Sequence, residues 1–223
     1  MKIVAILASP HGAKGATGQL LEALVSGARE AGAEVRTFSI GEKPLAPCRA
    51  CDVCHRTGEC PIRDDFGMVR DAMLDADGVV LASPNYIFSV SAQMKALLDR
   101  CCGPLHRVAL TGKHAAAVVT SGGSGSQEVE AYLLRFLRAM GAWTAGSVAA
   151  EARQMFSPDD KAQRLDEAAA LGRRLVEAIH LRTEYPEQAT EQRAFRERMK
   201  ALVEMRKAEW RFEHEYWKSI GEG

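Results

Sequence analysis

Unbroken apolar runs alternate along this chain with segments whose apolar residues recur every three or four positions. The run Lys2–Ala8 is apolar after its first residue, the pattern of a strand buried on both faces of a parallel sheet. Gln19–Ala31 puts Leu20, Leu21, Leu24, Val25 and Ala28 on one side and predicts a helix. Glu34–Ile40 alternates like a second strand. Phe66, Val69, Met73 and Leu74 form the stripe of a helix that Asp64 or Asp65 can cap. Gly78–Ser83 is the third strand, and the helix after it runs to Arg100, with Gly103-Pro104 as its stop. Lys113–Thr120 and Trp143–Ala149 read as the fourth and fifth strands, Gln127–Met140 as the helix between them, and Asp159–His180 as the closing helix.

Five strands alternating with five helices predict an α/β fold. The natural assignment is a doubly wound five-stranded parallel sheet in the flavodoxin-like order 2-1-3-4-5. This unit spans residues 1–180. From 181 to 223 the composition shifts to dense charge of both signs, with Tyr185-Pro186 as a hinge and a helix expected from Thr190 to about Glu215. Phe195, Met199, Leu202, Met205 and the segment from Trp210 to Trp217 give that helix an apolar edge. Water is a costly place for Trp210, Phe212, Tyr216 and Trp217. The extension is therefore expected to pack on a partner subunit or over its own subunit's cofactor.

Lysine plus arginine and aspartate plus glutamate both number 29, so there is no electrostatic case for nucleic acid or an anionic membrane as partner. No apolar run approaches the ~20 residues of a spanning helix. Nothing after Met1-Lys2 resembles a signal peptide. A soluble, cytoplasmic protein with free thiols is expected.

Four of the six cysteines, Cys48, Cys51, Cys54 and Cys60, fall in the loop 47–61 after the second strand, at spacing C-x2-C-x2-C-x5-C. Each C-x2-C step lets two sulfurs converge while the intervening amides turn toward them. The ferredoxin run is similar, whereas zinc is more usually held by two C-x2-C pairs separated by a longer loop. The spacing favours a compact iron–sulfur cluster, with a set of reduced, redox-active thiols as the competing reading. Arg49, Arg56 and Glu59 lie where their charge would tune a cluster. His55 reads as a solvent-facing histidine, Cys101-Cys102 as buried structural cysteines, and His106 and His114 lack a catalytic partner pattern.

Three loops follow the carboxyl ends of strands, where ligands bind in open α/β sheets. Ser9-Pro10-His11-Gly12 through Gly18 is rich in glycine and leads into a helix start, a place for phosphate. It matches neither G-x-x-x-x-G-K-[ST] nor G-x-G-x-x-G, which leaves a monophosphate cradle. Pro84-Asn85-Tyr86-Ile87-Phe88 carries the chain's only asparagine and two aromatics. Ser121-Gly122-Gly123-Ser124 is small and polar, so its backbone can approach a ligand closely.

Taken together, these three loops resemble the NADPH-dependent FMN reductase superfamily. With the cysteine motif and the following Ile62-Arg63-Asp64-Asp65, the chain resembles its iron–sulfur flavoproteins over roughly residues 1–180. The resemblance implies FMN and a [4Fe-4S] cluster in each subunit of a homodimer or homotetramer, with a cluster near a neighbour's flavin. It assigns Ser9, His11, Lys14, Ala16 and Thr17 to the phosphate, and Pro84, Asn85, Tyr86 and Phe88 to the flavin ring. It likewise implies that Ser121, Gly122, Gly123 and Ser124 form the third flavin loop and that Cys48, Cys51, Cys54 and Cys60 hold the cluster. His11 stands where the family often has Arg, and Ala16-Thr17 where it often has Asn-Thr, so the expectation is either weaker phosphate contacts or Lys14 supplying the missing charge.

The expected function is an electron-transferring flavoprotein, with NAD(P)H or ferredoxin as donor and a small molecule or protein as redox partner. Its redox chemistry belongs to the cofactors, so no catalytic side chain is expected. Two alternatives stand beside it. One is an NAD(P)H-dependent FMN or quinone reductase whose cysteines hold no cluster. The other is a non-enzymatic metal-binding or redox-sensing protein without flavin.

Overall fold

Side chains alternate between the two faces of a strand, and here the buried strands supply apolar groups to both. The computed structural model describes residues 1–221. Its strands are β1 (Lys2–Leu7), β2 (Glu34–Ser39), β3 (Gly78–Tyr86), β4 (Ser89–Val90), β5 (His114–Ser121) and β6 (Trp143–Glu151). All but β4 pair in parallel, in the order β2-β1-β3-β5-β6. That is the expected arrangement of five parallel strands, with β4 added as a short antiparallel turn-back on β3.

The helices are α1 (Ala16–Glu30), α2 (Val53–Thr57), α3 (Phe66–Asp75), α4 (Ala92–Arg100) and α5 (Cys102–His106), then α6 (Ser126–Ala139) and α7 (Ala152–Phe156). Three more follow: α8 (Pro158–Leu181), α9 (Pro186–Met205) and α10 (Arg211–Ser219). Val4 and Ile6 of β1, Val79 and Leu81 of β3, and Ala117 and Val119 of β5 join one core with Val69, Met94 and Leu133 from α3, α4 and α6. The intervening Ile3, Ala5, Val80, Ala82, Ala116 and Val118 join the other, with Leu20 and Leu24 of α1 and Leu171 and Leu175 of α8. Helices α1 and α8 meet at glycines: a Cβ on Gly27 would lie 2.1 Å from the Ala169 carbonyl oxygen, and one on Gly172 equally close to that of Leu24.

Three expectations are corrected. The third strand does not end at Ser83; it continues to Tyr86 because Asn85 and Tyr86 pair with β4. Gly103-Pro104 does not terminate a helix. Helix α4 ends at Arg100, and Pro104 sits in the first turn of α5, where its missing N–H removes no bond. The extension is not one helix from Thr190 to Glu215 but two, α9 and α10, separated at Arg206–Trp210. The break turns α10 back onto the same chain. There Trp217, Met199 and Val203 cluster with Val108, and the Trp217 indole N–H donates to the His106 carbonyl at 3.2 Å.

Candidate functional site

The loops after β1, β3 and β5 lie at one edge of the sheet because those strands are adjacent and parallel. Their mutual placement is fixed by buried hydroxyls. Ser91, the N-cap of α4, donates its Oγ proton to the Ala8 carbonyl at 2.7 Å, and its amide donates to Ser83 Oγ at 3.0 Å. Thr17 and Thr120 are joined through their hydroxyls at 2.6 Å, which ties the first turn of α1 to the end of β5. Around the first loop, Ser9 is buried while His11 and Lys14 are exposed and Ala16 is half-buried. Gly18 has to be glycine for this loop to close: a Cβ there would lie 2.4 Å from the Gly12 carbonyl oxygen. The amides that open α1 have no acceptor within the helix and carry its positive end.

Beside this loop, the side-chain amide of Asn85 donates to the Ser124 carbonyl at 2.8 Å. Its Oδ1 and the Oγ of Ser121 are buried without a partner. Buried polar atoms normally have one, so these two fit the polar edge of a bound ring. Tyr86, Ile87 and Phe88 are exposed, Phe88 by 75% and Ile87 by 90%. Ile87 and Phe88 also have φ of 49° and 60°, the left-handed region that disfavours a β-branched residue. Strain plus exposed apolar surface at a strand end is a ligand-site pattern. Pro84 continues β3, and Gly122 and Gly123 are open to solvent, with no atom near where a Cβ would be.

The cysteine loop lies at the far end of α4. Cys48, Cys51, Cys54 and Cys60 all line one cavity of about 150 Å³, shared with Asp99, Arg100 and Cys102. Ala50 and Asp52 adopt left-handed φ of 49° and 55°, which folds the backbone around the sulfurs, and the Ala50 amide donates to Cys48 Sγ at 3.4 Å. Arg100 closes the neck. Its guanidinium donates to the carbonyls of Ala46 and Ile62, to Asp64 Oδ2 at 2.5 Å and to Cys60 Sγ at 3.3 Å. Burial and the neighbouring Cys102, Glu213, Cys60 and Cys48 push the Cys54 thiol up to about 12. A cation among these sulfurs would reverse that effect. Glu59 pairs with Arg70, Arg49 lines the cavity with the cysteines, and Arg100 donates to a motif sulfur. At ~1.5 Å per residue, the nine residues of α4 set the cavity about 13 Å from the Ser91 end of the helix.

His55 is not solvent-facing. It is buried, its ring stacks with those of His106 and Trp210, and its Nδ1–H donates to Glu213 Oε1 at 2.5 Å. His106 Nδ1–H donates to the other oxygen of Glu213 at 3.0 Å, and its Nε2 lies 3.6 Å from Cys102 Sγ. Burial alone would lower both imidazoles, but Cys102 and Glu213 outweigh it and raise His55 to about 10 and His106 to about 9. For Cys102, burial acts upward but the His106 and His55 hydrogen bonds prevail, giving about 7. Cys101 is the structural cysteine expected, buried and raised to about 12; Cys102 is not. His114 donates to the Thr183 carbonyl and lies outside this group. The i, i+4 spacing of Cys102 and His106 on one helix was the available sequence signal.

Residues 1–155 match the NADPH-dependent FMN reductase family. Over 222 residues the chain is 31% identical to an iron-sulfur flavoprotein from Archaeoglobus fulgidus, an alignment covering 99% of each. The chain belongs to the iron–sulfur flavoproteins of the NADPH-dependent FMN reductase family. An iron-sulfur flavoprotein from Methanosarcina thermophila is 35% identical over 130 residues, 57% of this chain and 68% of that one. The fold is also that of the NAD(P)H:quinone oxidoreductase from Methanothermobacter marburgensis, with a TM-score of 0.65 at 17% identity over 78% of this chain and 96% of that one. This flavoprotein is a flavin-dependent oxidoreductase. No helix among the described residues is long and apolar enough to cross a membrane.

Proposed function

We propose that this flavoprotein holds FMN at the three strand-end loops and a [4Fe-4S] cluster in the cysteine loop, and moves electrons between a donor and an acceptor through them. The observation that carries the reading is the gathering of all four motif cysteines around one small cavity in a chain of this family. Ser9, His11, Lys14, Ala16 and Thr17 would hold the phosphate, with Lys14 and the amides that open α1 supplying positive charge. Pro84, Asn85, Tyr86, Phe88 and the Ser121-Gly122-Gly123-Ser124 turn would hold the ring. Asn85 Oδ1 and Ser121 Oγ then gain the partners they lack. Cys48, Cys51, Cys54 and Cys60 would hold the cluster.

Bound FMN supplies both hydride and single-electron chemistry, and a bound cluster supplies single-electron transfer. The chain's own part is placement. Arg100 keeps the loop closed and donates to one sulfur, and the Ala50 amide donates to another, which favours charge on the sulfurs. Within one chain the two sites lie at opposite ends of α4, so exchange between them fits a homodimer or homotetramer in which one subunit's cysteine loop faces another's flavin.

Oxygen-free purification followed by assays of iron, acid-labile sulfide and FMN tests the proposal. Four irons, four sulfides and one FMN per chain are expected, with Cys54→Ala abolishing the broad cluster absorbance and sparing the flavin bands. Iron-free protein with full NAD(P)H–quinone activity would leave a simple quinone reductase and refute the cluster.

A further inference from the structure

Glu213, His55, His106 and Cys102 come from three distant parts of the chain; His55 follows Cys54 in the motif loop, and none of the four is a motif cysteine. The Glu213 carboxylate is fully buried and takes the Nδ1–H of both imidazoles, so each ring presents Nε2 away from it. Trp210 lies over both rings, with centroids 4.6 and 4.7 Å away, and holds them within 17° of parallel. One donor atom each from His55, Cys102 and His106 lie within 4.8 Å of one another. The Cys102 sulfur lies 3.6 Å from His106 Nε2, and the three donor atoms face one space, which a cation takes in exchange for their protons.

We infer that His55, Cys102 and His106 form a second, mononuclear metal site for zinc, adjoining the four-cysteine loop from which His55 comes, with Glu213 as the carboxylate that orients both imidazoles. The geometry fits the ion. Zinc–sulfur and zinc–nitrogen bonds of about 2.3 and 2.05 Å at a tetrahedral angle give an S···N edge of about 3.6 Å. The Cys102 Sγ–His106 Nε2 distance is 3.6 Å. Closing His55 onto the same centre takes a small movement of its ring. Two imidazoles and one thiolate suit zinc, and an imidazole backed by a carboxylate is the usual outer arrangement of such sites. Charge also closes: one divalent ion balances the Cys102 thiolate and the Glu213 carboxylate. Binding displaces protons from the site and involves no redox change. Asp52 Oδ1, 3.7 Å from His55 Nε2, is within reach as a fourth ligand.

The test is zinc binding by the full chain, purified without oxygen and freed of loose metal, measured by competition with a chromophoric chelator. Co²⁺ in place of zinc provides a spectroscopic signature of thiolate and tetrahedral ligation. One zinc per chain is expected, with the cobalt thiolate band lost in Cys102→Ser and kept in Cys51→Ser. Glu213→Gln, which leaves all three ligands in place, should weaken binding by about 10–100-fold. FMN content, read on the same samples, should not change in Cys102→Ser. Zinc retained at unchanged affinity by both Cys102→Ser and Glu213→Gln overturns the site. So does zinc lost from Cys51→Ser alone, which would place the ion in the motif loop, or a wild-type chain that keeps no zinc. Missing iron would count against the cluster and leave this inference standing.

Discussion

Arg100 is the residue on which the cysteine loop closes, and replacing it tests that claim directly. The side chain is fully buried, bridges Ala46 before the motif to Ile62 and Asp64 after it, and lies over the Phe66 ring at 4.2 Å. Breaking a buried ion pair from one side costs about 3–5 kcal/mol. Asp64 keeps 19% of its side chain exposed, so water recovers part of that. Arg100→Met, which preserves most of the packing, should therefore lower the unfolding free energy by about 2–4 kcal/mol. In urea, with a slope near 2 kcal/mol/M, the midpoint falls by about 1–2 M. Arg100→Lys should lose nearly as much, because an ammonium cannot span several acceptors at once. The pH dependence has a defined sign. Burial would raise the Asp64 carboxyl, but Arg100 and the Ala46 and Phe66 amides overcome it and hold the group below its ordinary value. Its contribution is complete above the ordinary carboxylate range and lost as pH falls through the lowered value. The gap between wild type and Arg100→Met, measured on metal-free chain, should accordingly narrow in acid. A Met variant within 0.5 kcal/mol of wild type at pH 7, a threshold set at roughly the scatter of surface substitutions, would refute the reasoning.

Three further outcomes are expected. In zinc-free protein, Cys102 should alkylate at a rate that climbs as pH rises through about 7, while buried Cys101, raised to about 12, stays unlabelled; peptide mapping after iodoacetamide reads both. Gly27→Ala forces a Cβ against the Ala169 carbonyl and should cost about 1–3 kcal/mol in urea denaturation, with the FMN loops untouched. Ile87→Gly should stabilise the apo chain by about 1 kcal/mol by relieving a left-handed φ, and weaken FMN binding in a fluorescence titration by removing apolar surface.

The sheet was legible because its central strands are apolar at nearly every position and begin beside a glycine or a charge. Helix α8, bounded by Pro158 and a change in composition, was legible for the same reason. The tail was harder. Charge every few residues from Thr190 onward reads as one solvated helix, and nothing local marks the break at Arg206–Trp210. Glu213 is the sharpest case. A glutamate flanked by Arg211, His214 and Glu215 reads as solvent-facing, yet it is completely buried, because its partners His55 and His106 lie 158 and 107 residues earlier. From the sequence Arg100 marks only a helix end, since its four acceptors, two backbone carbonyls and two side chains, lie 36 to 54 residues earlier. The cysteine spacing identified the loop but not what clamps it.

Helix α10 is synthesised after every other described element, and chains leave the ribosome amino end first. The sheet, α4 and the cysteine loop can therefore form while Glu213, Trp210 and Trp217 are still in the exit tunnel. Until α10 seats, His55 and His106 lack the Glu213 carboxylate that both imidazoles share, so this corner is the last part of the described fold to settle.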